Sequence, residues 1–188
     1  MLYETVVKTA AASEPVTLTE AKTQLRVDSS AEDTYITTLI SIARDRVEKY
    51  CNRYFTIQVV DIVYHWVLPL GSIMQAAIVL PFPDLTSVDS VSYTDTDGAT
   101  VVISDSEYSF NPSTRKLIPV DSWPTDAIDF TVEVTTAPPA AFDAAKQSIL
   151  MVLTDLYELR VESVVGVSVA MNPAVTNLMQ PYRVNIGV

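Results

Sequence analysis

Cysteine and histidine are nearly absent from this chain: among 188 residues, Cys51 and His65 are the only representatives of their types. A lone cysteine excludes an internal disulfide and suits a reducing compartment. One Cys and one His leave no material for a zinc site, a Ser-His-Asp triad or a Cys-His pair. Cys51 reads as a small buried apolar residue on a helix. His65, inside the apolar run DIVYHWV, reads as a packed ring. Glycine is also scarce, and the four present, Gly71, Gly98, Gly166 and Gly187, form neither a phosphate-cradling loop nor a dinucleotide fingerprint. The stretch DTDG at 95–98 invites a calcium reading. With Gly98 at the sixth position of such a loop, Tyr93 and Ser104 would stand where acidic ligands belong, so the calcium reading fails.

No apolar run is long enough to cross a bilayer as a helix. The longest, IMQAAIVLPF at 73–82, is about half a crossing and is stopped by Pro81 and Pro83. The opening MLYETVVK lacks the pattern of a signal peptide. These features predict a soluble, cytoplasmically made protein without a membrane partner.

Basic residues are few: 12 Lys and Arg against 23 Asp and Glu give a net charge of −11. The excess is concentrated between residues 56 and 140, where 11 acids meet only Arg115 and Lys116. Grip on duplex DNA depends on cations that neutralise phosphates. The composition therefore disfavours a DNA-binding role, although it is compatible with standing beside DNA without holding it. A carboxylate pair for glycoside chemistry is not singled out among so many acids. Neither a catalytic residue, a cofactor nor a metal is assigned.

What is present falls into three blocks. The first, residues 1–55, is helical. Thr17 and Glu20 form a T-x-x-E capping box, followed by Leu18, Ala21 and Leu25 on one face of a helix that ends near Arg26. Ser29 and Glu32 repeat the pattern and predict a longer helix over about 31–51. Its apolar face is Ile36, Leu39, Ile40, Ala43, Val47, Tyr50 and Cys51. Its opposite face carries Arg44, Asp45, Glu48 and Lys49, and Asn52 follows as a left-handed cap. Two capping boxes so close together predict two helices held at a fixed angle.

The second block, 56–140, is strand-rich, with β-branched and aromatic residues in TIQVVDIVYHWVL, SVDSVSY, ATVVI and DFTVEVTT. Asp97-Gly98 and Asn111-Pro112 mark two hairpin turns. The third block, 141–188, opens with a helix over about 140–160, striped by Phe142, Ala145, Ile149, Val152, Leu153 and Leu156. A short helix at 173–179 and an apolar tail ending YRVNIGV follow. Such a tail either docks into a neighbour, as an added strand for example, or folds back on its own domain.

The segment EPVTLTEAKTQLRVDSSAEDTYITTLISIARDRVEKYCNR resembles the opening of the gp6-like head–tail connector (adaptor) proteins of HK97-type tailed phages. That family begins with a phrase of the form VTLEEAKxHLRVD, then a long helix ending ARxxVExYTGR. The matching residues are Val16, Thr17, Leu18, Glu20, Ala21, Lys22, Leu25, Arg26, Val27, Asp28, Asp33, Ala43, Arg44, Val47, Glu48, Tyr50 and Arg53. Cys51-Asn52 stands where Thr-Gly is common. AAKQSILMVLTDLYELR resembles the family's late helix through Lys146, Gln147, Ile149, Leu150, Tyr157, Glu158 and Arg160. VAMNPAVTNLMQPYRV resembles its closing phrase through Pro173, Val175, Leu178, Pro181, Tyr182 and Arg183.

The resemblance implies an α+β fold. A helical connector core, two N-terminal helices plus one C-terminal helix, carries an inserted antiparallel β-rich module and an extended C-terminal tail. It implies a structural, non-enzymatic virion protein in the neck, at the head–tail interface. Twelve copies would form a ring under the portal protein, extending the DNA channel and meeting a head-closure, stopper or tail protein below. Genomic DNA would pass through without sequence-specific binding. The implied portal-docking tail comprises Leu178, Met179, Pro181, Tyr182, Arg183, Val184, Ile186 and Val188. The implied inter-subunit helix faces comprise Arg26, Arg44, Arg46, Glu48 and Lys49. The alternatives are another neck or tail-completion protein and, in a different class, a small-ligand or carbohydrate-binding β module or carboxylate-pair hydrolase. In the latter, Tyr64, Trp66, Tyr93, Tyr108 and Trp123 would line a cleft.

Overall fold

The computed structural model describes residues 2–65, 76–138, 142–159 and 172–184. The chain divides into two compact units, each discontinuous in sequence: Met1–Ala12 with Ile57–Ala137, and Ser13–Thr56 with Pro138–Val188. The α+β class expected from the sequence is the one observed.

The first unit is all β. A five-stranded sheet has the order β1-β2-β8-β4-β5, and a three-stranded sheet the order β3-β7-β6. The strands are β1 (Leu2–Thr9), β2 (Val59–His65), β3 (Ile78–Val79), β4 (Leu85–Thr94), β5 (Thr100–Ile103), β6 (Tyr108–Asn111), β7 (Lys116–Pro119) and β8 (Asp129–Thr136). Strict alternation builds the sheet. Val60, Ile62 and Tyr64 of β2 are buried, and antiparallel register sets Ile62 opposite Val132 and Tyr64 opposite Phe130 of β8. Each such buried side chain contributes roughly 1.5–3 kcal/mol of transfer free energy. The outward residues are polar on β8, Asp129, Thr131, Glu133 and Thr135, and mixed on β2, Val59, Asp61, Val63 and His65.

Both hairpin turns expected from the sequence are present. Gly98 has φ 82°, and the Asp95 carboxylate accepts the Asp97 and Ala99 N–H groups at 2.9 and 2.8 Å. Between β6 and β7, the Asn111 side chain accepts from Thr114 N–H at 3.2 Å. Arg115 there takes the left-handed conformation at φ 56° and donates to the Pro81 carbonyl at 3.1 Å. The first twelve residues were grouped with the helices by sequence order. Instead β1 pairs with β2 along most of its length, so this segment lies in the β unit.

The second unit is helical: α1 (Leu18–Leu25), α2 (Asp33–Cys51), α3 (Phe142–Leu159) and α4 (Pro173–Met179), closed by a 3₁₀ turn at Gln180–Tyr182. One core joins them. Ala21, Ile36, Leu39, Ile40, Ala43, Val47, Cys51, Phe55, Ala145, Ile149, Val152, Leu153, Val175 and Met179 are all buried in it. The expected apolar faces of α2 and α3 are the buried ones. The first capping box forms as expected: Thr17 Oγ accepts from Glu20 N–H, and Glu20 accepts from Thr17 N–H at 2.9 Å.

The second box does not form. Glu32 occupies the N-cap of α2 with no side-chain cap bond, and Ser29 Oγ accepts from Ala31 N–H at 3.2 Å instead. The helix therefore starts at Asp33, two residues later than the pattern predicts. The Glu32 carboxylate is taken by the Tyr157 hydroxyl of α3. A long-range partner has won over the local one.

Candidate assembly surfaces

The charged residues of the helical unit sort into internal ties and free surface. Glu20 of α1 accepts from Lys146 of α3, and Lys22 of α1 pairs with Asp33 of α2 at 2.7 Å. Tyr157 joins α3 to the start of α2 through Glu32. The capped helix is thus held by one box and two ion pairs, and Glu20, Lys22, Asp33, Lys146 and Tyr157 of the family resemblance are among the residues that tie the three helices together. The Lys146 ammonium, with the Thr17 N–H and hydroxyl, holds the Glu20 carboxyl down at about 2.

Arg44 and Glu48 were assigned to an outer helix face, and the structure turns them inward. Arg44 Nε donates to Glu14 at 2.7 Å and Arg44 NH1 donates to Glu48 at 2.8 Å. The other Glu48 oxygen accepts the buried Phe55 N–H at 2.7 Å. Glu48 is 6% exposed. Burial pushes its carboxyl above the usual range against the pull of the Phe55 N–H and Arg44. Burial also works against the Arg44 charge, but Glu14 and Glu48 outweigh it and keep the guanidinium firmly protonated. This network ties the α2 C-terminus to the chain on either side of it, with Glu48 buried and Arg44 and Glu14 half-buried. Glu14 carried no sequence signal, because its partner lies thirty residues on.

Of the remaining assigned residues, Arg26 is exposed in a left-handed cap at φ 57°. Arg46 is half-buried, and Lys49 is exposed and paired with Asp45 at 2.7 Å. Tyr35 and Ile42 of α2 add exposed apolar surface that the sequence assignment omitted.

The assigned tail folds back on its own unit as far as Val184. Asn172 caps α4 by accepting from Ala174 N–H at 3.0 Å, and Pro173 fills the first helical position. Val175 and Met179 enter the core. Val184 N–H donates to the Cys51 carbonyl at 2.9 Å, Asn52 donates to the Val184 carbonyl at 2.9 Å, and Arg183 lies over the Tyr50 ring. Met179 is therefore a core residue rather than a docking one. Leu178, Tyr182 and Val184 are half-buried, and Pro181 and Arg183 are exposed. Ile186 and Val188 lie outside the described residues.

Among the described residues, the aromatics named for a cleft do not line one. Tyr64 and Trp123 are each 2% exposed. Tyr64 donates to the Val79 carbonyl at 3.1 Å, Trp123 donates to the Ala76 carbonyl at 2.9 Å, and Trp123 meets Phe130 edge-on. Tyr93 lies against Phe130, and Tyr108 donates to Asp105 at 2.7 Å. Trp66 lies outside the described residues. His65 Nδ1 donates to Asp129 at 3.0 Å, and its Nε2 lies 3.7 Å from Glu4. Among the described residues no cluster of His, Cys, Asp or Glu has the form of a metal site, and no helix is long and apolar enough to cross a membrane.

This fold is shared with chains of gene transfer agent (GTA) particles. One is from the neck of an empty particle with C6 symmetry: TM-score 0.71, 15% identity, covering 100% of this chain and 98% of that one. A second is from the native GTA virion, at TM-score 0.71 and 15% identity over 98% and 97%. A third is from the neck of the native particle with C12 symmetry, at TM-score 0.70 and 15% identity over 100% and 98%. At 15% identity the likeness defines a shared fold class. In sequence, residues 15–98, a little under half of the chain, match the model of the phage gp6-like head-tail connector protein, which bears out the resemblance read from the N-terminal motifs. The matched stretch includes α1 and α2 and continues through β2, β3 and β4 to the Gly98 turn, so it is not confined to the helices. No curated protein matches the chain. Family and fold together support a structural connector role at a head–tail junction.

Proposed function

We propose that this chain is the ring-forming adaptor of a tailed-particle neck, seated beneath the portal protein and joining head to tail. The observation that carries the proposal is double. A gp6-like connector match runs through both units, and neck chains cover the fold end to end. Twelve copies form the ring, in keeping with the C12 symmetry of one neck relative. The mechanism is shape: weak contacts repeated by symmetry give a closed ring whose stability exceeds that of any one contact. No reaction is assigned. The acid-rich β unit stands beside genomic DNA without gripping it, and a closure or tail protein binds the far side. Docking to the portal uses Leu178, Pro181, Tyr182, Arg183 and Val184 together with Ile186 and Val188. Neighbouring copies meet through the α2 surface that bears Arg46 and Lys49, and through Arg26.

The test is reconstitution. Purified chain mixed with portal and imaged by electron microscopy is expected to give a twelve-fold ring on the portal's outer face. Intact chain that binds no portal overturns the proposal.

A further inference from the structure

Among the described residues, the five-stranded sheet ends on two strands whose outer sides are unpaired, β1 and β5. An unpaired strand offers a row of backbone N–H and C=O groups, and natural edges are blunted by charge, proline or a bulge. Neither edge is blunted along its middle. Val6 and Val7 of β1 are 52% and 47% exposed, and Val101 and Val102 of β5 are 38% and 69% exposed. Consecutive strand residues face opposite sides of a sheet, so both edges are apolar on both faces. The irregularity in β1 lies beyond them, between Val7 and Thr9.

Each pairing in the order β1-β2-β8-β4-β5 is antiparallel. The strand direction therefore alternates, and β1 and β5 run the same way. We propose that β5 of one copy receives β1 of the next copy as a parallel strand, so that the sheet continues from subunit to subunit. This rests on the ring reading above and names the contact that closes the ring.

The occupant is a second copy for two reasons. Neighbours in a twelve-membered ring differ by a rotation of about 30°, so touching edges keep nearly their direction, and a parallel β1–β5 pair satisfies this. Charge does not oppose the pairing: with Val6 and Val7 beside Val101 and Val102, Lys8, which pairs with Glu133 of its own copy, stands beside Ile103, and Glu4 falls beside the Gly98 turn outside the paired stretch. Pairing of β1 with its own copy would be antiparallel and two-fold. It would close a dimer and leave the β5 valines bare. Five strands spaced about 4.8 Å apart span about 24 Å per copy, so a continuous belt of twelve has a diameter of about 90 Å.

Full-length Val7→Cys and Val102→Cys variants test the contact, since native Cys51 is buried and does not compete. The two variants are mixed, assembled on portal and treated with a short bismaleimide. The mixture is expected to give covalent dimers and the double variant a ladder reaching twelve copies, while each single variant alone stays uncrosslinked. Rings that form without crosslinks in the mixture overturn this inference alone, as do crosslinks in either single variant alone. If unmodified chain forms no ring on the portal, the adaptor reading fails and this inference falls with it. Val102→Lys, at an exposed edge position, is expected to keep the monomer's melting temperature and lose the ring. Intact Val102→Lys rings also overturn the inference.

Discussion

Glu48 is the residue whose role departs most from its place in the pattern. In a helical wheel it belongs to the polar side of α2, yet it is buried and bonded to Arg44 and to the Phe55 N–H. Glu48→Ala leaves that amide without an acceptor and removes one carboxylate from Arg44, and a broken buried pair costs about 3 kcal/mol. The expected outcome is a lower denaturation midpoint in urea with an unchanged slope. Thr17→Ala removes the cap of α1 and is expected to cost about 1 kcal/mol in the same experiment. Glu20 adds a pH dependence. Its carboxyl is depressed to about 2 in the fold. Its contribution is therefore fully present above the ordinary carboxyl range near 4.5 and is lost as pH falls through about 2. Glu20→Gln keeps the box geometry without the charge. Its melting temperature should fall less than wild type between these pH values, and equal slopes would remove Glu20 from the acid response. Residue types, spacing and the first cap were legible in the sequence. The Glu14–Arg44–Glu48 network was not, because a polar residue's burial depends on partners that only the folded chain brings close.

Among the elements, those with a strong period were legible and those without were not. The stripes of α2 and α3 and the alternation of β2 and β8 each bury one face, so the pattern and the fold agree. β1 is different: Glu4 through Thr9 are exposed, so the strand has no buried face to write a pattern. It is defined by hydrogen bonds to β2, which single-strand periodicity does not reveal. α2 starts later than the pattern predicts because two donors, the N–H of a local box and the distant Tyr157 hydroxyl, compete for the Glu32 carboxylate. The closing segment separates into two parts with opposite expectations. Met179→Ala opens a cavity in the helical core and is expected to cost about 2–4 kcal/mol by denaturation. Removal of residues 185–188 takes away none of the contacts described for α4, so thermal stability should be unchanged while portal affinity falls. A truncated chain that melts normally and binds portal at full strength overturns the docking role of Ile186 and Val188.

At the scale of the molecule, negative charge and helical faces separate. The helical unit spends its ion pairs internally, and the β unit carries the acid excess of the middle third. If that charge keeps DNA from sticking inside an assembled neck, replacing Asp61, Asp89 and Glu133 with their amides should slow DNA release from particles, measured as ejection kinetics. Unchanged kinetics would place these acids on the ring's periphery. The chain passes between its two units three times, at residues 12–13, 56–57 and 137–138. The helical unit is therefore not complete until the whole of the β unit has been made. On the ribosome, the apolar face of α2 waits for α3 until all of Ile57–Ala137 has emerged, and β1 waits for β2. A nascent chain stalled before residue 142 holds an unfinished helical half beside a finished sheet, so premature termination yields a sticky fragment rather than a usable part, and synthesis itself admits only whole copies to the neck.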